Sequence, residues 1–90
     1  MNKINSTEMA HRFSVEAFTF LAHKEELIKR FLNQSGLKLE DLQNMIQDST
    51  IFIGVLDFYL NDESVMQEFC NSYNYPMHFF MDAHRKLNEP

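Results

Sequence analysis

Along residues 48–62, DSTIFIGVLDFYLND, polar positions nearly vanish: the middle twelve residues hold one charge, Asp57, and eight large apolar or aromatic side chains. Read at 3.6 residues per turn, Phe52, Val55, Leu56 and Tyr59 form one wide apolar face, which Ile51 and Phe58 extend. Thr50, Gly54, Asp57 and Asn61 share one narrow polar stripe. The spacing predicts a central, buried helix, with Asp48 or Ser49 to cap its start and Asn61 and Asp62 to end it. A buried strand over residues 51–55 would suit the β-branched side chains, but no second strand candidate exists to pair with it.

The pattern before this stretch predicts three helices. The first begins near Ser6 or Thr7, either of which can cap, and runs to about Ala22 with Met9, Phe13, Ala17, Phe20 and Leu21 as its core stripe. Arg12, Glu16, Thr19 and His23 form its polar stripe. A second apolar line, Val15, Phe18 and Ala22, is either central packing or a partner surface. The second helix, about 24–34, buries Leu27, Ile28, Phe31 and Leu32, and its outer side sets Glu25 before Lys29 and Glu26 before Arg30 at the favoured four-residue spacing. Gly36 supplies a left-handed cap and Leu37 the apolar contact back to the last turn. A short third helix is expected over 39–47.

After the central helix, residues 63–73 predict a fifth helix with Val65, Met66, Phe69, Cys70 and Tyr73 on its core side, and a sixth that starts at Pro76, where a missing N–H costs nothing. A shift of 38 residues lays the first half over the second: Phe20 meets Phe58, Phe31 meets Phe69, and Gly36 meets Asn74, the next-best residue for a left-handed cap. The expected architecture is all-α: a single domain over residues 1–90, a compact six-helix bundle of two pseudo-repeats of a three-helix unit, about 17–47 and 55–87.

Composition narrows the class. With 90 residues, 44% hydrophobic, nine Phe, six Met and no Trp, the core is expected to be aromatic and soft. The single cysteine, Cys70, cannot close an intrachain disulfide, the first residues lack the apolar core of a signal peptide, and the apolar run 51–56 is far shorter than a membrane span, so a soluble cytoplasmic protein is expected, with no membrane partner. The net charge of −5 is uneven: residues 1–36 hold five basic and four acidic groups, whereas 37–90 hold three basic and nine acidic. No Lys or Arg stands between Lys38 and Arg85, where eight carboxylates do. This repels phosphate backbones and argues against direct binding of duplex nucleic acid. It leaves a solvated acidic face or a docking face for a basic partner.

The stretches FLNQSGLKLEDL and IFIGVLDFYLNDESVMQEF resemble a small family from alphaproteobacteria, domain of unknown function 3572, over about residues 16–82. The landmarks are Phe31, Leu32, Gly36, Leu37, Asp41, Leu42, Phe52, Val55, Leu56, Asp57, Asp62, Glu63 and Phe69. The chain departs from the family where Asp-Pro usually precedes the third helix and Lys38-Leu39 stands here. The resemblance implies a compact helical bacterial domain, and no activity comes with it.

No residue pattern specifies a chemistry. Cys70 sits on a core face with no His at helical reach, which makes it filler rather than a nucleophile. His78 and Asp82 share a face at four-residue spacing, but two ligands do not make a metal site. His84 falls with Met77, Phe80, Met81 and Leu87 as a half-buried core residue. Asp62 and Glu63 are accounted for by capping and first-turn charge at the fifth helix, and Asp57 lies on the polar stripe of the fourth. The two glycines stand eighteen residues apart, so no phosphate-cradling loop exists, and no cofactor is implied. The sequence therefore points to a non-enzymatic interaction module with an unidentified protein partner, whose contact candidates are Val15, Phe18, Ala22, Asp57, Asp62, Glu63 and Phe79. The alternative is a small-molecule or metal-binding protein with a Phe- and Met-lined cavity between its halves, gated by His78, Asp82 or His84. A two-fold homodimer would cover the apolar surplus of the first and fourth helices; a monomer would instead enclose the fourth helix with the other five.

Overall fold

The computed structural model describes residues 3–38, 40 and 49–89. Every regular element among them is helical: α1 (Thr7–Ala22), α2 (Glu25–Ser35), α3 (Ser49–Leu60), α4 (Glu63–Tyr73) and α5 (Phe79–Leu87). The all-α expectation holds, with five helices among the described residues. The expected helix over 39–47 falls almost wholly outside the described residues, as does Asp48, one of the two expected caps of α3. The strand alternative for 51–55 fails, because those residues lie within a helix that packs on α1 and α5 and buries Ile51, Phe52 and Val55.

Packing follows the apolar stripes. α1, α3 and α5 pack on one another, α2 lies against α1 and α3, and α4 lies against α3. The radius of gyration, 12.2 Å, is that of a close-packed globule of this length. As its pattern requires, α3 buries Ile51, Phe52, Val55, Leu56, Phe58 and Tyr59, and turns Thr50, Asp57 and Asn61 to solvent. The Tyr59 hydroxyl, fully buried, donates to the Ala17 carbonyl of α1 at 2.8 Å, and burial pushes its phenol far above the ordinary range. On α1 the buried stripe is Ala10, Phe13, Ser14, Ala17, Phe20 and Leu21; the hidden Ser14 hydroxyl is satisfied by the Ala10 carbonyl at 2.8 Å. Phe69 of α4 is the hub of the aromatic core, in contact with the rings of Phe13, Phe20, Tyr59, Tyr73, Tyr75 and Phe80 at centroid separations of 4.5–6.1 Å.

The caps behave as their residue types demand. Ser6 Oγ accepts the Met9 N–H at 3.1 Å and starts α1, and Asp62 Oδ1 accepts the Val65 N–H at 3.3 Å and starts α4. Gly36 (φ 75°) and Asn74 (φ 59°) both take the left-handed conformation. They close their helices differently. After α2 the Gly36 N–H bonds the Leu32 carbonyl while the Leu37 N–H turns to Ser35 Oγ; after α4 the Asn74 and Tyr75 N–H groups both reach the Cys70 carbonyl.

Three expectations need correction. The last helix begins at Phe79, not Pro76: the Phe79 and Phe80 N–H groups bond the Pro76 and Met77 carbonyls at 3.2 Å, a tightened turn that precedes the α-helix proper. Met81, expected in the core beside His84, is 57% exposed. Arg30 leaves Glu26 and pairs with Asp62, while the Glu25–Lys29 pair forms at 3.2 Å as the spacing predicts.

Candidate functional site

A groove opens where the start of α1 meets the connection between α4 and α5. The Ser6 cap fixes the register of α1, so that Met9, Arg12, Phe13 and Glu16, at intervals of three and four, form one wall. The left-handed Asn74 turns the chain back, which brings Tyr75 against α1: its hydroxyl donates to Glu16 Oε1 at 2.6 Å, and this bond to a carboxylate, more than burial, pushes the phenol up to about 12. Phe79, in the first turn of α5, rests on Phe13 at 5.8 Å and on Tyr75 at 5.5 Å between ring centroids. Ile4 closes the inner end. The groove measures about 160 Å³, the size of a site for one small ring or one large apolar side chain. Its floor is apolar and its rim carries the Arg12 guanidinium, the Glu16 carboxylate and the Tyr75 hydroxyl. A shallower depression lined by His11, Arg12, Val15 and Glu16 continues it along α1, where Val15 is 43% exposed.

The contact candidates read from the sequence do not form one patch. Phe79 lines the groove and Val15 the depression beside it. The line of Val15, Phe18 and Ala22 divides: Val15 and Ala22 face solvent, whereas Phe18 is half-buried against the core. Asp57 lies instead in a depression between α2 and α3 with Phe31, Gln34, Ser35, Gly54, Phe58 and Asn61. There its Oδ1 stands 2.7 Å from His84 Nε2, and His84 Nδ1 stands 3.3 Å from Asn88 Nδ2, a clasp of α3 to α5. Asp62 is held well below its ordinary value of 3.8 by the hydrogen bond from Arg30, then by the Val65 N–H; Glu63 is exposed beside it, so both do the work of a helix start.

The metal pair fares no better. His78 Nε2 lies 3.9 Å from Asp82 Oδ2, but the buried Asp82 carboxylate is already engaged by the Ile4 N–H at 3.3 Å and by Arg85 at 3.1 Å. No three His, Cys, Asp or Glu side chains converge among the described residues. His78, Asp82 and His84 are also not the residues at the mouth of the Phe- and Met-lined groove, which is held by Arg12, Glu16 and Tyr75. Burial raises the Cys70 thiol, the opposite of what a nucleophile needs.

Two groove residues escape sequence reasoning. Ile4 precedes the first cap and belongs to no periodic pattern, and the Tyr75–Glu16 bond joins residues 59 positions apart. The only hint was an isolated apolar residue before a helix start. No curated protein and no solved structure matches the chain. The profile of one family, described as Protein of unknown function (DUF3572), matches residues 7–90, from the first residue of α1 past the end of α5, and the chain belongs to that family.

Proposed function

We propose that the chain is a cytoplasmic, non-enzymatic helical interaction module that receives an apolar side chain of a protein partner in the groove between α1 and the α4–α5 connection. The observation that carries this reading is the pairing of an apolar floor, Met9, Phe13 and Phe79, with a rim of unequal charge. Glu16 is engaged by Tyr75, whereas the Arg12 guanidinium has no ion-pair partner among the described residues. A partner segment with an apolar anchor flanked by a carboxylate fits both features, the anchor for affinity and the charge for orientation.

A photo-crosslinking side chain at Val15, with the same probe at the exposed Glu26 of α2 as control, tests the reading in the native host. A discrete adduct from position 15 alone, lost on Arg12→Glu, supports it. An adduct of twice the chain mass identifies the partner as a second copy. Equal labelling from both positions, or none, removes the basis for it.

The groove volume also favours a second reading, a small apolar ligand bound between the two halves of the chain. A thermal-shift screen with apolar metabolites and divalent metals separates the two, since a ligand at a hundred times its Kd stabilises by about 2.7 kcal/mol.

A further inference from the structure

The depression between α2 and α3 shares no lining residue with the groove on α1, and a glycine that the fold does not require stands in its wall. Gly54 occupies the middle of α3, where glycine weakens a helix relative to alanine. It takes no left-handed φ, and an added Cβ there meets no atom within 4 Å. Packing therefore leaves room for a side chain at this position. What the missing side chain keeps open is a hollow of about 220 Å³, whose apolar lining is Phe31 and Phe58, edge to face at 5.8 Å between ring centroids.

The polar lining lies at the negative ends of two helices. Gln34 and Ser35 belong to the last turn of α2, Asp57 to the last turn of α3 with Asn61 just beyond it, and neither last turn holds a basic residue. Asn61 commits its Nδ2 to the Asp57 carbonyl at 2.9 Å, which leaves its Oδ1 to accept. His84 engages the Asp57 carboxylate through Oδ1, and Oδ2 has no partner among the described residues. Arg30, over the Phe58 ring at 5.7 Å, gives its charge to Asp62. The hollow thus offers acceptors and a carboxylate oxygen with no cation committed to them, beside two aromatic rings that suit a cation on an apolar stem. We propose that it binds an aliphatic ammonium group, with the charge on Asp57 Oδ2 and Asn61 Oδ1 and the methylenes on Phe31 and Phe58, in the space that Gly54 leaves.

Titration of the full chain with n-butylammonium, followed in the amide NMR spectrum, tests the site. The Gly54, Asp57, Phe58 and Asn61 amides are expected to shift together and saturably, whereas n-butanol and butanoate leave them in place. Asp57→Asn is expected to weaken binding several-fold. Gly54→Leu, which fills the hollow, is expected to abolish it, and Gly54→Ala to weaken it while raising the thermal midpoint, since alanine favours a helix interior. Equal shifts with n-butanol, or undiminished n-butylammonium binding in both Gly54 variants, overturn the proposal. So does a Gly54→Ala chain that melts at a lower temperature, because the glycine would then be structural. Nα-acetyl-lysine methylamide and cadaverine carry the same ammonium from two sources: tighter binding of the first assigns the site to a lysine side chain of a basic protein segment, tighter binding of the second to a free amine. None of these readouts involves the groove on α1, so the docking reading and this one fail separately.

Discussion

At the scale of single residues, the two left-handed caps differ in how much each tolerates. An added Cβ at Gly36 meets no atom within 4 Å, so the cost of a side chain there is torsional alone. Gly36→Val is expected to destabilise by about 1–2 kcal/mol in urea unfolding, and Asn74→Gly to be neutral or slightly stabilising, since Asn already pays part of the left-handed penalty at φ 59°. Tyr75 yields a pH dependence. Its phenol ionises at 10.0 in an unfolded chain and at about 12 when bonded to Glu16, so its contribution to stability is complete below pH 10 and is lost as pH rises from 10 to 12. Tyr75→Phe is expected to lower stability at neutral pH and to shallow the alkaline fall, leaving the share of Tyr59, which is raised in the same direction by burial. Denaturant midpoints measured across that range check both.

At the scale of elements, α4 joins the aromatic core through Phe69. Phe69 is fully buried and touches aromatic side chains from α1, α3 and α5 as well as its own neighbours, so Phe69→Ala is expected to cost about 3–5 kcal/mol and to cut the unfolding midpoint sharply. Phe69→Leu, which keeps most of the volume, should cost markedly less. The expected core stripe of α4, Val65, Met66, Phe69, Cys70 and Tyr73, came from spacing alone; the first four are buried and Tyr73 is half-buried against the core. The start of α5 did not come out, because a proline is equally at home in the turn that precedes a helix and at its first position.

At the scale of the whole molecule, the outer side of α1 is where self-association can be tested. A two-fold dimer through Val15 and Ala22 is expected to sediment at twice the chain mass at micromolar concentration, and Val15→Glu to return it to monomer with helical content unchanged. Phe18→Glu is expected to lower stability whatever the assembly, because Phe18 packs against the core. A wild-type chain that sediments as a monomer would assign the exposed Val15 to a different partner or to none.

What the sequence determined by itself was local or periodic. As helix caps, Ser6, Asp62, Gly36 and Asn74 act within four residues of where they stand, and the apolar face of α3 repeats often enough that its burial needs no knowledge of its neighbours. Tertiary structure decided the rest: Tyr75 on Glu16, Ile4 on Asp82 and His84 on Asp57 pair residues 59, 78 and 27 positions apart. Those meetings depend on how the helices cross, and a core made of many interchangeable Phe side chains can be satisfied by more than one crossing, so hydrophobic spacing carries no record of which was chosen. Phe18 shows the same limit on one helix: it sits at the edge of the buried arc of α1, where the neighbouring elements, and not the periodicity, determine whether a side chain is covered.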